Sequence, residues 1–205
     1  VELDGFYGRY AVALIDRQGG RFFLFQMGEL ITQEGAIGED VRRVRKGRGS
    51  SVVGMRGGSQ ASGRKEAELV QRNLRDIAAA LVDFCQDNHP RRLLLAGAEH
   101  TVAQFRELLP TKLQEIVVGT FNANMEAGDD AIRDEAFAVL KSLEEKRHRE
   151  LVDAVVTAAA KGMNGVVGLD QTLSATHEGR AQVLVVEHGY HPPGYQCKSC
   201  GYLTT

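Results

Sequence analysis

The sequence predicts a mixed α/β fold in two domains, and three observations lead there. Strand-forming runs open the chain, helical periodicities then alternate with short apolar strands, and residues 122–128 interrupt the pattern before a second alternation begins. A length of 205 residues suits one large domain or two small ones. A composition of 43% hydrophobic and 25% charged residues is that of a globular chain.

The elements follow in order. Tyr7–Ile15 is rich in strand formers, residues 16–20 are turn residues (Asp-Arg-Gln-Gly-Gly), and Arg21–Met27 is a second apolar and aromatic run, which together predict a hairpin. Glu29–Ile37 reads as a third strand. Residues 46–63 hold six glycines in eighteen positions without a period of 2 or 3.6, and read as a mobile loop. A helix is expected after Gly63, with Val70, Leu74, Ile77, Leu81 and Phe84 on one face and His89-Pro90 ending it. Arg92–Ala96 reads as a buried strand, Thr101–Leu109 as a helix stopped by Pro110, and Leu113–Thr120 as another strand. The first domain is therefore drawn at residues 1–125.

The second domain is drawn at residues 126–205. Asp129–Lys161 carries a helical pattern too long for one ordinary globular helix, so a bend or break is expected. Residues 165–168 read as strand, 170–177 as a short helix with Gly179 as its C-cap, and 181–187 as a buried strand through Val183-Leu184-Val185-Val186. The chain opens on Val1 rather than Met, and is expected to be a piece of a longer protein.

Charge and cysteine usage narrow the function. The net charge is −2, yet Arg42, Arg43, Arg45, Lys46, Arg48, Arg56, Arg64 and Lys65 fall within 24 residues with no acid among them. No apolar run approaches the roughly 20 residues a bilayer span requires, and no charged-then-apolar segment opens the chain. A cytoplasmic location without membrane contact is the expectation. Cys85 stands alone. Cys197 and Cys200 form a Cys-x-x-Cys-Gly pair, which in a reducing compartment points to metal chemistry, with His188 and His191 nearby as further ligands for a structural zinc. An unligated, reduced pair is the plainer reading. His89, His100, His148, Glu99 and the Asp129-Asp130 pair read as surface or helix-end residues.

A glycine- and arginine-rich loop with Gln60 near its end has a physical logic. Glycines let backbone approach a ligand closely, and the basic residues neutralise RNA phosphates. Glutamine has no useful pKa, but it can position a water or donate a hydrogen bond to developing negative charge. A solvated linker explains the same composition, and the local sequence does not separate the two.

The motifs Gly47-Arg48-Gly49 and Gly57-Gly58-Ser59-Gln60, followed by a helix from Arg64-Lys65-Glu66-Ala67 and the strand Leu93-Leu94-Leu95-Ala96-Gly97, resemble the middle domain of the eukaryotic and archaeal class I peptide chain release factors. Residues 168–175 (Gly-Leu-Asp-Gln-Thr-Leu-Ser-Ala), with Gly179 and 183–186, resemble that family's last domain, an L7Ae/L30e-like α/β sandwich. The resemblance implies a mixed-sheet middle domain whose catalytic loop carries Gly57, Gly58, Ser59 and Gln60, with the basic residues above contacting RNA. The family's tip is Gly-Gly-Gln. Ser59 departs from it, at a cost of order 1 kcal/mol if φ is positive there, and the Gly-Ser-Gln form is similar to that of release-factor-like tRNA hydrolases of ribosome quality control.

The implied function is a peptidyl-tRNA hydrolase or tRNA-cleaving factor in termination or ribosome rescue. It would work at the large-subunit peptidyl transferase centre, with a translational GTPase or ATPase as a partner through the second domain. The alternatives are a non-catalytic ribosome-binding recruitment factor, in which Gln60 is dispensable, and a general RNA-binding module of the L7Ae type.

Overall fold

The computed structural model describes residues 8–38 and 58–204, with side chains from residue 64 onward in the second stretch. The chain divides into two compact units, Val1–Ser142 and Leu143–Thr205.

The first unit is a five-stranded mixed sheet of order β3-β2-β1-β4-β5, formed by β1 (Tyr10–Ile15), β2 (Gly19–Gln26), β3 (Glu29–Ile37), β4 (Arg92–Gly97) and β5 (Val117–Phe121). β1 pairs antiparallel with β2 and parallel with β4, and β5 extends the parallel side. The mixed α/β architecture expected from the sequence is therefore the one observed. The predicted turn forms, and a second one links β2 to β3. The Asp16 carboxylate accepts the amides of Gln18 and Gly19 at 2.7 Å each, closing the first. Met27 and Gly28 both take positive φ, 54° and 82°, as a two-residue hairpin requires.

Helices α1 (Gly58–Asn88), α2 (Glu99–Leu108) and α3 (Thr111–Ile116) and the first part of α4 (Asp129–Ala160) accompany the sheet. One core cluster joins Ala11, Ala13, Phe22 and Leu24 to Leu74, Ile77, Leu81 and Phe84 of α1 and to Phe105 of α2. The other joins Val12, Leu14, Phe23 and Phe25 to Ile132, Ala136 and Leu140 of α4. Alternate residues of β1 feed the two clusters, as the period of a strand dictates. Arg21 of β2 ties down the approach to α4: its guanidinium donates to the carbonyls of Met125 (2.9 Å) and Ala127 (2.8 Å) and to the Asp129 carboxylate (2.9 Å), while lying over the Phe23 ring.

Several sequence expectations are corrected. α1 begins at Gly58, inside the segment read as loop, because Ala, Glu, Leu and Arg downstream favour helix and nothing from Gly58 to Gly63 stops it. Residues 111–116 are helical rather than strand: Pro110, at the N-cap with φ −59°, accepts the amides of Leu113 and Gln114 and starts a turn. α4 runs unbroken for 32 residues, its charged middle supported by Glu144–Arg147 and Lys146–Glu150 pairs at helical spacing.

In the second unit, α5 (Leu169–His177) forms as expected. Gly179 (φ 68°) ends it with two bonds, Arg180 N–H to the Ala175 carbonyl and Gly179 N–H to the Thr176 carbonyl. Residues 165–168 and 181–187 are not strands. Val183, Leu184, Val185 and Val186 are 42–61% exposed, because a wholly apolar strand needs paired neighbours and cover on both faces, and no described segment supplies them. The strands here are β6 (Tyr195–Gln196) and β7 (Leu203–Thr204), paired as a small hairpin. Among the described residues no helix is long and apolar enough to cross a membrane.

Gly97 sits at φ 142°, and a Cβ there would fall onto the Ile15 carbonyl oxygen. Gly97→Ala is expected to destabilise the chain by about 2–4 kcal/mol in urea unfolding. Gly28→Ala, at positive φ with nothing within 4 Å, is expected to cost only about 1 kcal/mol. Among the described residues the buried Tyr10 hydroxyl has no hydrogen-bond partner, and burial pushes its pKa up to about 12. The neutral phenol is thus favoured by folding, and that stability is present below pH 10 and lost as the pH rises from 10 towards 12. Tyr10→Phe is expected to leave neutral-pH stability equal or slightly higher and to flatten this alkaline loss. Cys85, pushed up to about 11 by burial, contributes a separate loss that the same substitution leaves in place.

Candidate functional site

The carboxyl end of β1 is where the candidate site is built. Gly38, at the end of β3, donates its amide to the Gln18 carbonyl at 2.6 Å. Asn73 of α1, 1% exposed, donates its side-chain amide to the Arg17 carbonyl at 3.0 Å. The same side chain lies against Gly38 so closely that a Cβ there would be 2.5 Å from Asn73 Cγ. Glu66, two residues beyond the first described side chain of α1, meets Arg17 at 3.4 Å, an exposed pair of little strength by itself. One buried asparagine therefore holds the turn after β1 and the backbone leaving β3 against the helix that follows the basic segment.

The predicted site residues distribute around this anchor. Arg42, Arg43, Arg45, Lys46, Arg48, Arg56 and Gly57 lie outside the described residues. Gly58, Ser59 and Gln60 form the backbone of the first turn of α1. The first amides of a helix have no partner within it and carry a partial positive charge, so this backbone suits an anionic group. Arg64 and Lys65 are exposed, and Arg64 borders a groove of about 620 Å³ between α1 and α2 that also includes Gln71, His100 and Gln104. Glu66, Glu68 and Glu107 line the same groove, which makes it mixed in charge rather than purely basic.

Asn73 was not among the residues singled out from sequence. Its signal was present: it falls on the stripe of Val70, Leu74 and Ile77, where a polar side chain needs a partner.

The cysteine pair is a separate construction in the second unit. Cys197 and Cys200 sit in the tight turn between β6 and β7, where Cys197 N–H donates to the Tyr202 carbonyl (2.8 Å) and Gly201 N–H, at φ 74°, to the Cys197 carbonyl (2.9 Å). The amides of Cys200 and Ser199, with the Cys200 thiol, lower the Cys197 pKa. Tyr202 docks the hairpin on α5, its hydroxyl 3.2 Å from Ser174 Oγ and its ring edge-on to His177. Among the described residues no three His, Cys, Asp or Glu side chains gather as a metal site, His188 and His191 with the thiols included.

Asn73→Ala is expected to cost about 1–3 kcal/mol through the lost bond to Arg17. Gly38→Ala is expected to destabilise more in the native background than in Asn73→Ala. The double-mutant cycle is predicted to give a coupling of about 0.5–3 kcal/mol, and additivity would mean the two positions do not press on one another.

Comparison with known proteins adds the family. The model of bacterial archaeo-eukaryotic release factor family 10 matches residues 1–146. Among solved structures, an archaeal translation termination factor, aRF1, is 13% identical with a TM-score of 0.43, covering 83% of this chain and 47% of that one. Pelota of Archaeoglobus fulgidus is 14% identical with a TM-score of 0.44, covering 83% and 45%. Pelota of Thermoplasma acidophilum is 19% identical with a TM-score of 0.33, covering 87% and 49%. The chain thus spans about half the length of these structures, and likeness this distant carries nothing about activity. No curated protein matches the sequence. The match over residues 1–146, well over half of the chain, makes it a member of bacterial archaeo-eukaryotic release factor family 10.

Proposed function

We propose that this chain is the tRNA-acting part of a ribosome-associated, release-factor-like hydrolase, in which the segment ending at Gln60 enters the peptidyl transferase centre of the large subunit. The observation that carries the reading is the sequence Gly57-Gly58-Ser59-Gln60 at the end of an acid-free basic segment, in a chain of release-factor family. Arg42, Arg43, Arg45, Lys46, Arg48, Arg56, Arg64 and Lys65 hold RNA phosphates, and each contact made this way weakens with added salt. Gln60 orients the attacking water, or the reactive 3′ end of the tRNA, by hydrogen bonding rather than by proton transfer. Gly57 and Gly58 allow close backbone approach, and Ser59 adds a hydroxyl beside it. The cytoplasm is the compartment this role requires.

The start of α1 at Gly58 favours a second reading, in which Gln60 stays within a helical turn and the protein binds the ribosome without cleaving anything.

Release of nascent peptide from purified stalled peptidyl-tRNA–ribosome complexes separates the two, with the tRNA 3′ end mapped. The expected result is release by the native chain and a loss of at least about 100-fold in Gln60→Ala, comparable to removing one positioned donor from a hydrolytic site. Ribosome binding in Gln60→Ala is expected to stay intact. An intact tRNA 3′ end would identify ester hydrolysis, and a shortened one tRNA cleavage. Binding without release by either protein would leave the second reading.

A further inference from the structure

β3 ends the sheet, and among the described residues no strand pairs with its outer edge. The backbone groups on that edge can be assigned. Gly38 N–H donates to the Gln18 carbonyl, and the register sets Ala36 opposite Gly20, Glu34 opposite Phe22 and Thr32 opposite Leu24. Hydrogen-bonded residues alternate along an antiparallel pair, so residues 38, 36, 34 and 32 turn their backbone groups to β2. Gln33, Gly35 and Ile37 therefore turn theirs outward. The other side of β2 agrees: the Gly19 carbonyl accepts the Asp16 amide towards β1, which leaves Gly20 facing β3. Ile31 has no partner on β2, because the register passes from Leu24–Thr32 to Phe25–Leu30. That bulge confines the regular edge to residues 32–37. Edges are ordinarily blunted by lysine, proline or cover. β3 contains neither lysine nor proline, and Ile37 is 95% exposed.

We propose that β3 is a self-association surface, through which two copies of the chain join edge to edge, antiparallel and centred on Gly35. The outward groups are symmetric about that residue. With Gly35 opposite Gly35 of the second copy, Gln33 meets Ile37 and Ile37 meets Gln33, and each of these pairs can exchange two backbone bonds. A glycine on the two-fold axis removes the collision that a side chain meeting its own copy would cause. Glu34 falls opposite Ala36 in this register. An axis at Glu34 would keep the backbone bonds but set two carboxylates directly opposite one another, and like charges placed so are destabilising. An axis at Ala36 would leave Gln33 without a partner on the edge. The pairing is isologous and closed, so it stops at two copies. The contact is small, which makes association weak and reversible, with the monomer as the dilute form. The two Glu34 carboxylates are diagonal neighbours across the axis, so added salt strengthens the pairing by screening them. Contacts to RNA phosphates respond to salt in the opposite direction.

The test is sedimentation of the full chain, under reducing conditions, from about 1 μM to about 1 mM, with amide exchange read residue by residue at both extremes. The mass is expected to rise from one chain to two. Protection is expected to rise with it at the amides of Gln33, Gly35 and Ile37, and to stay constant at Glu34 and Ala36, which already bond β2. Gly35→Pro removes an outward N–H and no bond to β2, a place where an edge strand accepts proline. A Cβ at Gly35 meets only the Gly20 carbonyl oxygen, at 3.8 Å. The variant is expected to stay monomeric with an unchanged far-ultraviolet spectrum. Glu34→Gln, at an exposed position, is expected to tighten association by about 2- to 5-fold. A chain that is monomeric throughout, association that leaves residues 33, 35 and 37 unprotected, or Gly35→Pro associating like the native chain would each overturn the proposal. Slow exchange at those three amides in the dilute chain would overturn it too, since the edge would then be covered within one copy. None of these readouts depends on ribosomes or on Gln60.

Discussion

Everything in the first unit depends on the burial of one strand. Tyr10–Ile15 is 0–3% exposed along its whole length, so each backbone polar group must be paired and each face covered. β2 satisfies one edge and β4 the other, antiparallel and parallel respectively. The parallel neighbour is the costly one, since the chain must cross over the sheet to reach it, and α1 is that crossover. Alternation along β1 then requires apolar cover on both faces. α1 and α2 supply it for Ala11, Ala13 and Ile15, and α4 for Val12 and Leu14. The close approach of Gly97 to Ile15 marks the end of the same β1–β4 pairing.

Near the carboxyl end of β1, Asn73 of α1 bonds the Arg17 carbonyl and packs against Gly38, just after β3. On the proposed reading that matters more than any pKa. A glutamine contributes by position alone, and a misplacement of about 1 Å is enough to cost a large part of its effect.

Much of this was legible from residues. The first hairpin showed because Asp16 carries the chemistry of its turn, α1 because its apolar residues repeat at one period over enough length, and β4 because three leucines run together. The misreadings have physical causes. Leu113 and Ile116 fit a strand as well as a helical turn, and Pro110, read as a stop for α2, also starts α3. The start of α1 was hidden because glycine signals a loop while a helix can still propagate back through it. Val183–Val186 has the composition of a central strand, but composition is a property of the segment and pairing a property of its neighbours. For the site, the motif at Gln60 and the basic charges were visible in sequence. The anchor was less so, because it joins residues 17, 38 and 73 and no local window contains all three.

The two units also hold their order in different ways. The first has a core shared by strands far apart in sequence, so its parts are stable together or not at all. In the second, order is local. Gly165 packs directly on the last turns of α4, where a Cβ would meet Val155, Ala158 and Ala159 at 2.8 Å. α5 is closed by its own cap at Gly179, and the cysteine hairpin rests on α5 through Tyr202. α4 begins among buried residues of the first unit and continues into the second. Helix nucleation is the unfavourable step, and adding residues to an existing helix is not. Residues 143–160 therefore inherit helical order from packing around Ile132, Ala136 and Leu140 that they do not themselves make. Segments farther along the chain have no such inheritance, and there the density of special backbone positions at glycine rises: Gly162, Gly168, Gly179, Gly189 and Gly201 all take positive φ. A segment that turns this often and buries this little is ordered by turn chemistry rather than by a hydrophobic interior.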